Sequence, residues 1–294
     1  MHGSMQTIKQ NRMMLARLSP FLAFIPPLFI LYHLHAWSFE QTLHGRTFLL
    51  FFLWLITLEI MLGWERFEAS GMDSFKSAKT LILIIALLLP TAYVIVANYY
   101  GVNETIEKLA LSLNVEKTSW PTVSVEYLVF TIFLALIILS LYGINGLQDF
   151  PISIFFSGTI GILFSMDNLY PYGKFTPLQI LVPATVTVTA NVFNLMGYTT
   201  KITFVNNALQ GSYPYLKIIN PQGTSVGLGI AWACSGIESL LIYTVTILMF
   251  LRKMGTSLKK KVAFFIAGAI ITCLLYTSDA ADEGLGVDLG GRRI

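Results

Sequence analysis

The residue best suited to covalent chemistry is Cys234, in the run GLGIAWACSGIESLLIYTVTILMF at 227–250. A thiolate is a strong nucleophile, and its availability depends on what surrounds it. After Pro221 and Gly223 the apolar pattern predicts a helix beginning between Val226 and Ala231. Cys234 would then lie in its first or second turn. The positive end of a helix favours thiolate, whereas burial in an apolar medium disfavours it. A reactive thiol here therefore calls for a nearby cation, best supplied by an arginine. Trp232 suits a membrane–water boundary, and Gly236 permits close approach of a backbone. Glu238 follows Cys234 by four positions, on the same helical face. Trp232, Ser235, Gly236 and Glu238 are the candidate substrate-side residues. Simple packing at the interface, with an inert thiol, is the competing reading. The histidines are His2, His33, His35 and His44; a Cys–His arrangement through His33 or His35 stays open, since spacing does not decide it, and no metal-ligand spacing occurs. No metal and no cofactor is expected.

The elements that must position this thiol belong to a membrane protein. Among 294 residues only 12% are charged and 13% are aromatic, and the mean hydropathy is +0.67. So few charges cannot cover a soluble surface of this size. The net charge of +3 is spread along the chain, which excludes a basic nucleic-acid-binding face. Membrane lipid is the expected surrounding partner. Apolar runs long enough to be candidate spans lie at 18–38, 47–64, 80–100, 125–143, 151–166, 178–197, 231–251 and 262–276.

Flanking cations set the orientation. Lys9, Arg12 and Arg17 precede the first run, and Arg252, Lys253, Lys259, Lys260 and Lys261 follow the run ending at 251, with no acids among them. Both flanks are expected in the cytoplasm. The loop at 101–124, with Glu104, Glu107 and Glu116 against Lys108 and Lys117, is expected outside. This charge pattern requires that one candidate not cross. The weakest is 178–197, which contains Pro183, Asn191, Asn194 and several threonines, and it reads as an interfacial or re-entrant segment. The expectation is thus an all-α polytopic protein of about seven transmembrane helices in the cell membrane. Its N-terminus is cytoplasmic and Cys234 lies near the outer face. Residues 167–230 form a small outer cap, in which KITFVNN and YPYLKIINPQG read as short strands with turns. Glu59, deep in the second run, and Glu126, at the edge of the fourth, keep a transporter open as an alternative, as is a non-catalytic scaffold.

From Cys273 the chain reads CLLYTSDAADEGLGVDLGGRRI. The apolar helix that starts at Lys261 dissolves there into Asp, Ala and Gly. The run CLLYTSDAADE resembles the translation of a transposase-type sequencing-library adapter. The expected organisation is a single integral membrane domain over 1–272 and a non-native tail over 273–294.

Ala233-Cys234-Ser235-Gly236-Ile237, approached by a Gly-rich strand-like segment and followed by a span, resembles the nucleophile motif of the exosortase/archaeosortase family. Pro151-Ile-Ser-Ile-Phe-Phe resembles that family's Pro-x-x-Phe-Leu segment. Leu178-Gln179, with the Thr- and Ala-containing helix that follows and then Gly197, resembles its Leu-Gln segment. The resemblance covers about residues 145–272. It implies a membrane cysteine protease or transpeptidase with Cys234 as nucleophile. Its partners would be surface proteins carrying a C-terminal sorting signal: a short motif, a hydrophobic helix and a basic tail. The family's cysteine works with an arginine well downstream, and no arginine here matches. Arg252 lies too early, and Arg292 and Arg293 fall in the adapter-like tail. The resemblance therefore implies a chain truncated before its catalytic arginine, and inactive as it stands.

Overall fold

The computed structural model describes residues 14, 16–41, 45–64, 77–113, 115, 121–170, 179, 182–207, 211–230 and 237–286. Two compact units divide the chain, Met1–Asn168 and Leu169–Ile294.

The first unit is built from α1 (Ile25–Leu34), α2 (Thr47–Gly63), α3 (Ser77–Tyr99), α4 (Val102–Ser112), α5 (Pro121–Gly146) and α6 (Pro151–Leu169). Helical structure continues N-terminal of α1, giving a segment Ala16–Leu34. Among the described residues four helices are long and apolar enough to cross a bilayer: Ala16–Leu34, Thr80–Tyr99, Pro121–Gly146 and Pro151–Leu169. Two further apolar helices, Thr47–Gly63 and Ser239–Leu251, are shorter. The expected seven spans are thus supported at four positions by length and composition.

Contacts at both ends of this bundle fix the direction of its helices. At one end His35 Nε2 lies 3.0 Å from Asn98 Oδ1, Arg46 pairs with Glu126, and Asn168 Nδ2 donates to Ser124 Oγ at 3.3 Å. At the other, the Arg17 guanidinium sits 5.0 Å from the Trp64 ring, and Tyr142 stacks on Phe150 at 6.2 Å. α1, α2, α3, α5 and α6 therefore alternate in direction. Between the two ends the core is aromatic. Phe24 meets Phe52 and Phe130 edge-on at 5.2 and 5.4 Å, an arrangement favoured by the ring quadrupoles. Outward-facing Leu81, Ile82, Ile84, Ile85 and Leu88 on α3 are exposed, as a face turned to lipid would be.

The second unit corrects the all-α expectation. It contains a three-stranded antiparallel sheet, β1 (Thr199–Asn207), β2 (Gly211–Ile219) and β3 (Ser225–Gly229), in the order β1-β2-β3. β1 and β2 fall where KITFVNN and YPYLKIINPQG were expected to form strands. Beside the sheet are α7 (Val182–Leu195), α8 (Ile237–Lys253) and α9 (Leu258–Gly286). The weak candidate span 178–197 becomes α7. Its 14 residues reach about 21 Å, short of a bilayer core of about 30 Å. Its threonines bond back into the helix, Thr187 Oγ1 to the Pro183 carbonyl at 2.7 Å and Thr189 Oγ1 to that of Thr185 at 2.9 Å. α7 packs against β1 and β2.

Gly197 ends α7. Its φ is +89°, and the amides of Gly197 and Tyr198 donate to the carbonyls of Asn194 and Phe193 at 3.1 and 3.0 Å. This is a Schellman closure, which needs a left-handed residue at that position. The rings of Phe193 and Tyr198 complete it at 5.9 Å. α9 corrects another expectation. The helix does not dissolve after Thr272; its backbone continues to Gly286. The Ala, Leu, Asp and Glu residues of that stretch are all compatible with helix, and only glycine weakens it.

Candidate functional site

Cys234 is bracketed by β3 and α8. Residues 231–236, and so Cys234, Trp232, Ser235 and Gly236, lie outside the described residues. Glu238 is in α8, with its side chain outside them. What the structure does establish is the frame on either side. Ser225–Gly229 is strand, so the helix expected to begin as early as Val226 does not. The cause is the register with β2, which pairs Gly229 with Tyr215 and Ser225 with Ile219. The Ile230 amide extends the ladder by donating to the Pro214 carbonyl at 3.0 Å. α8 starts at Ile237, three residues after Cys234. In sequence order Cys234 lies between the last described residues after β3 and the first described residue of α8.

The frame itself is well anchored. The turn between β2 and β3 is Asn220-Pro221-Gln222-Gly223. The Gly223 amide donates to the Asn220 carbonyl at 2.8 Å, and Gly223 has a φ of +89°. Proline second and a left-handed glycine following are what this tight connection requires. Leu216 and Ile218 of β2 are buried on one face of the sheet. On the other face Tyr213 and Tyr215 lie over β3. A Cβ on Gly229 would come 2.9 Å from Tyr213 Cε2, and one on Gly227 would strike the Tyr215 hydroxyl. Behind the site α8 packs on α9, where the Tyr243 hydroxyl lies 3.0 Å from the Phe265 carbonyl oxygen, to which it donates.

The first unit holds two buried ionic arrangements. Arg46 and Glu126 form a bidentate pair: Nε donates to Oε1 at 3.0 Å and Nη2 to Oε2 at 2.8 Å. Nη1 donates to Ser38 Oγ at 3.0 Å. Burial acts to lower the pKa of Arg46, but the Glu126 carboxylate outweighs it through charge and hydrogen bonding and holds the guanidinium pKa above its ordinary value. The Tyr127 hydroxyl donates to the Gly45 carbonyl at 3.0 Å, so the entry to α2 is tied to α5. Glu59 accepts from the Ile152 amide at 2.8 Å, from the Ser153 amide at 3.0 Å, and from the Ser153 hydroxyl. It supplies the N-terminal cap that Phe150, with no side-chain acceptor, cannot give α6. Pro151, lacking an amide hydrogen, fits the first helical position.

Neither role was read from sequence, though a signal existed. Arg46 and Glu126 are isolated opposite charges beside apolar runs, and each requires a partner once buried. Of the histidines, His35 contacts Asn98, His33 lies in α1, and His2 and His44 fall outside the described residues. Among the described residues no group of three His, Cys, Asp or Glu side chains is placed to hold a metal.

A family model described as transmembrane exosortase matches residues 36–275. No curated protein and no solved structure shows significant similarity. The match takes in the helices of the first unit from α2 onward, the sheet, and the segment carrying Cys234. With apolar helices of bilayer length, it places the chain in the transmembrane exosortase family.

Proposed function

We propose that this protein is a membrane cysteine peptidase or transpeptidase that cleaves C-terminal sorting signals of surface proteins. The observation that supports this most strongly is the family match across the Ala233–Ile237 motif. In this reading the Cys234 thiolate attacks the carbonyl carbon of the scissile peptide bond. The C–N bond breaks, the amine leaves with a proton, and an acyl thioester remains on sulfur. An incoming amine or water then attacks the thioester and releases the thiol. An arginine would hold the thiolate and stabilise the developing oxyanion. Trp232, Ser235, Gly236 and Glu238 would line the substrate side.

Orientation follows from the cations already named. The N-terminal arm and 252–261 lie in the cytoplasm, and the sheet forms an outer cap near Cys234. In this reading the membrane domain spans 1–272, and residues 273–294 form the adapter-like tail, in which no arginine matches the family's spacing. A transporter reading loses its support, because Glu59 and Glu126 are both engaged in structural bonds.

The test is cleavage of a reporter ending in a short motif, a hydrophobic helix and a basic cluster, taken from the same genome. The expected result is no cleavage by the 294-residue chain. A version whose residues after 272 are replaced by the genomic continuation is expected to cleave. Cys234→Ala in that version should reduce turnover by about a thousandfold or more without changing its melting temperature. Unchanged cleavage by the Cys234→Ala protein would overturn the reading.

A further inference from the structure

Among the described residues β3 is an edge strand of the sheet, and a role for that edge rests on the peptidase reading and deepens it. Hydrogen bonding fixes which way each peptide group of β3 faces. The Ile230 amide donates to Pro214, and the Asn220 amide donates to the Thr224 carbonyl at 2.8 Å. In an antiparallel ladder such pairs recur at every second residue. Thr224, Val226, Leu228 and Ile230 therefore face β2. The amides and carbonyls of Ser225, Gly227 and Gly229 face away from it. Among the described residues no strand lies beyond β3.

The two sheet edges are not alike. On β1 the outward amide of Thr200 is taken by Asn194 Oδ1 at 3.2 Å, and its hydroxyl by the same oxygen at 2.9 Å. On β3 two of the three outward residues are glycines. The side-chain space above them is occupied by Tyr215 and Tyr213 from the neighbouring strand. The edge thus offers backbone groups unshielded by side chains of its own, beside two half-buried aromatic rings. Five residues past Gly229 in sequence is Cys234.

We infer that the motif segment of the substrate docks in extended form as a fourth strand on β3. Its backbone would pair with Ser225, Gly227 and Gly229, and its side chains would contact Tyr213 and Tyr215. Strand addition of this kind draws affinity from main-chain bonds and specificity from alternate side chains. It would deliver an extended peptide beside the segment that carries the nucleophile.

Binding can be measured without turnover. The probe is a fluorescent peptide comprising the motif and hydrophobic helix of such a reporter, read by anisotropy with the 294-residue chain in detergent. N-methylation scanned through the motif is expected to weaken binding at every second residue. Ser225→Pro, which removes one outward amide at the start of an edge strand, is expected to raise Kd about fivefold. Ile202→Pro, which removes an outward amide on β1, should leave Kd unchanged. Loss of affinity without a two-residue period, a larger effect of Ile202→Pro, or no binding at all would overturn the inference. Failure of strand docking leaves Cys234-dependent cleavage intact. Failure of the peptidase reading is seen instead as cleavage that survives Cys234→Ala.

Discussion

Glu59 shows how a single carboxylate changes meaning between sequence and structure. Alone in an apolar run, it keeps a transport role open as an alternative. In the fold it accepts hydrogen bonds from two amides at the start of α6, where an anion also meets the positive end of the helix dipole. Glu59→Ala should cost about 2–3 kcal/mol, because it leaves buried amides without an acceptor. Glu59→Gln, which keeps one acceptor oxygen, should cost less. Thermal unfolding in detergent measures both. The Arg46–Glu126 pair makes a complementary point. Arg46→Met alone strands a buried carboxylate and is expected to cost about 3–5 kcal/mol. The double replacement with Glu126→Leu should recover most of that loss. A double variant no more stable than the single one would show that the pair contributes more than mutual neutralisation.

At the scale of elements, the cap depends on where helix gives way to strand. α7 stops because Gly197 adopts a left-handed conformation that lets two amides close back onto the helix. Any residue with a Cβ is disfavoured there. Gly197→Ala is expected to destabilise the protein by about 1–2 kcal/mol, whereas alanine at the neighbouring exposed Met196 should have little effect. The shift is read in the melting temperature. The glycines of β3 have a different cause. They are needed for the space that Tyr213 and Tyr215 occupy, rather than for a backbone angle.

For the whole molecule, the alternation of α1, α2, α3, α5 and α6 gathers His35, Arg46, Asn98, Glu126 and Asn168 at one end. In the orientation proposed from the flanking cations, that end is the outer one. The prediction is read by a membrane-impermeant maleimide on intact cells, with Cys234 and Cys273 replaced by alanine. Lys108→Cys should be labelled, and Lys260→Cys should be labelled only after lysis. The reverse pattern would invert the proposed orientation.

Much of this was legible in the amino-acid order. The scarcity of charge demanded lipid, and apolar runs placed the helices. The Asn-Pro-Gln-Gly turn and Gly197 marked the cap's punctuation, because local backbone chemistry needs no distant partner. The Ala-Cys-Ser-Gly-Ile run carried the resemblance that the family match upheld. Other features depended on partners far apart in sequence. Glu59 finds the start of α6, and Arg46 finds Glu126, only after the helices pack, since nothing local specifies either pairing. A helix start as early as Val226 is excluded for the same reason. Residues 225–229 are short and Gly-rich, and their conformation is decided by the ladder with β2 rather than by their own propensity. Sequence alone determined the medium, the helices and the nucleophile candidate. Tertiary structure decided which buried charges are structural and, among the described residues, which strands form the edges of the sheet, because long-range hydrogen bonds settle both.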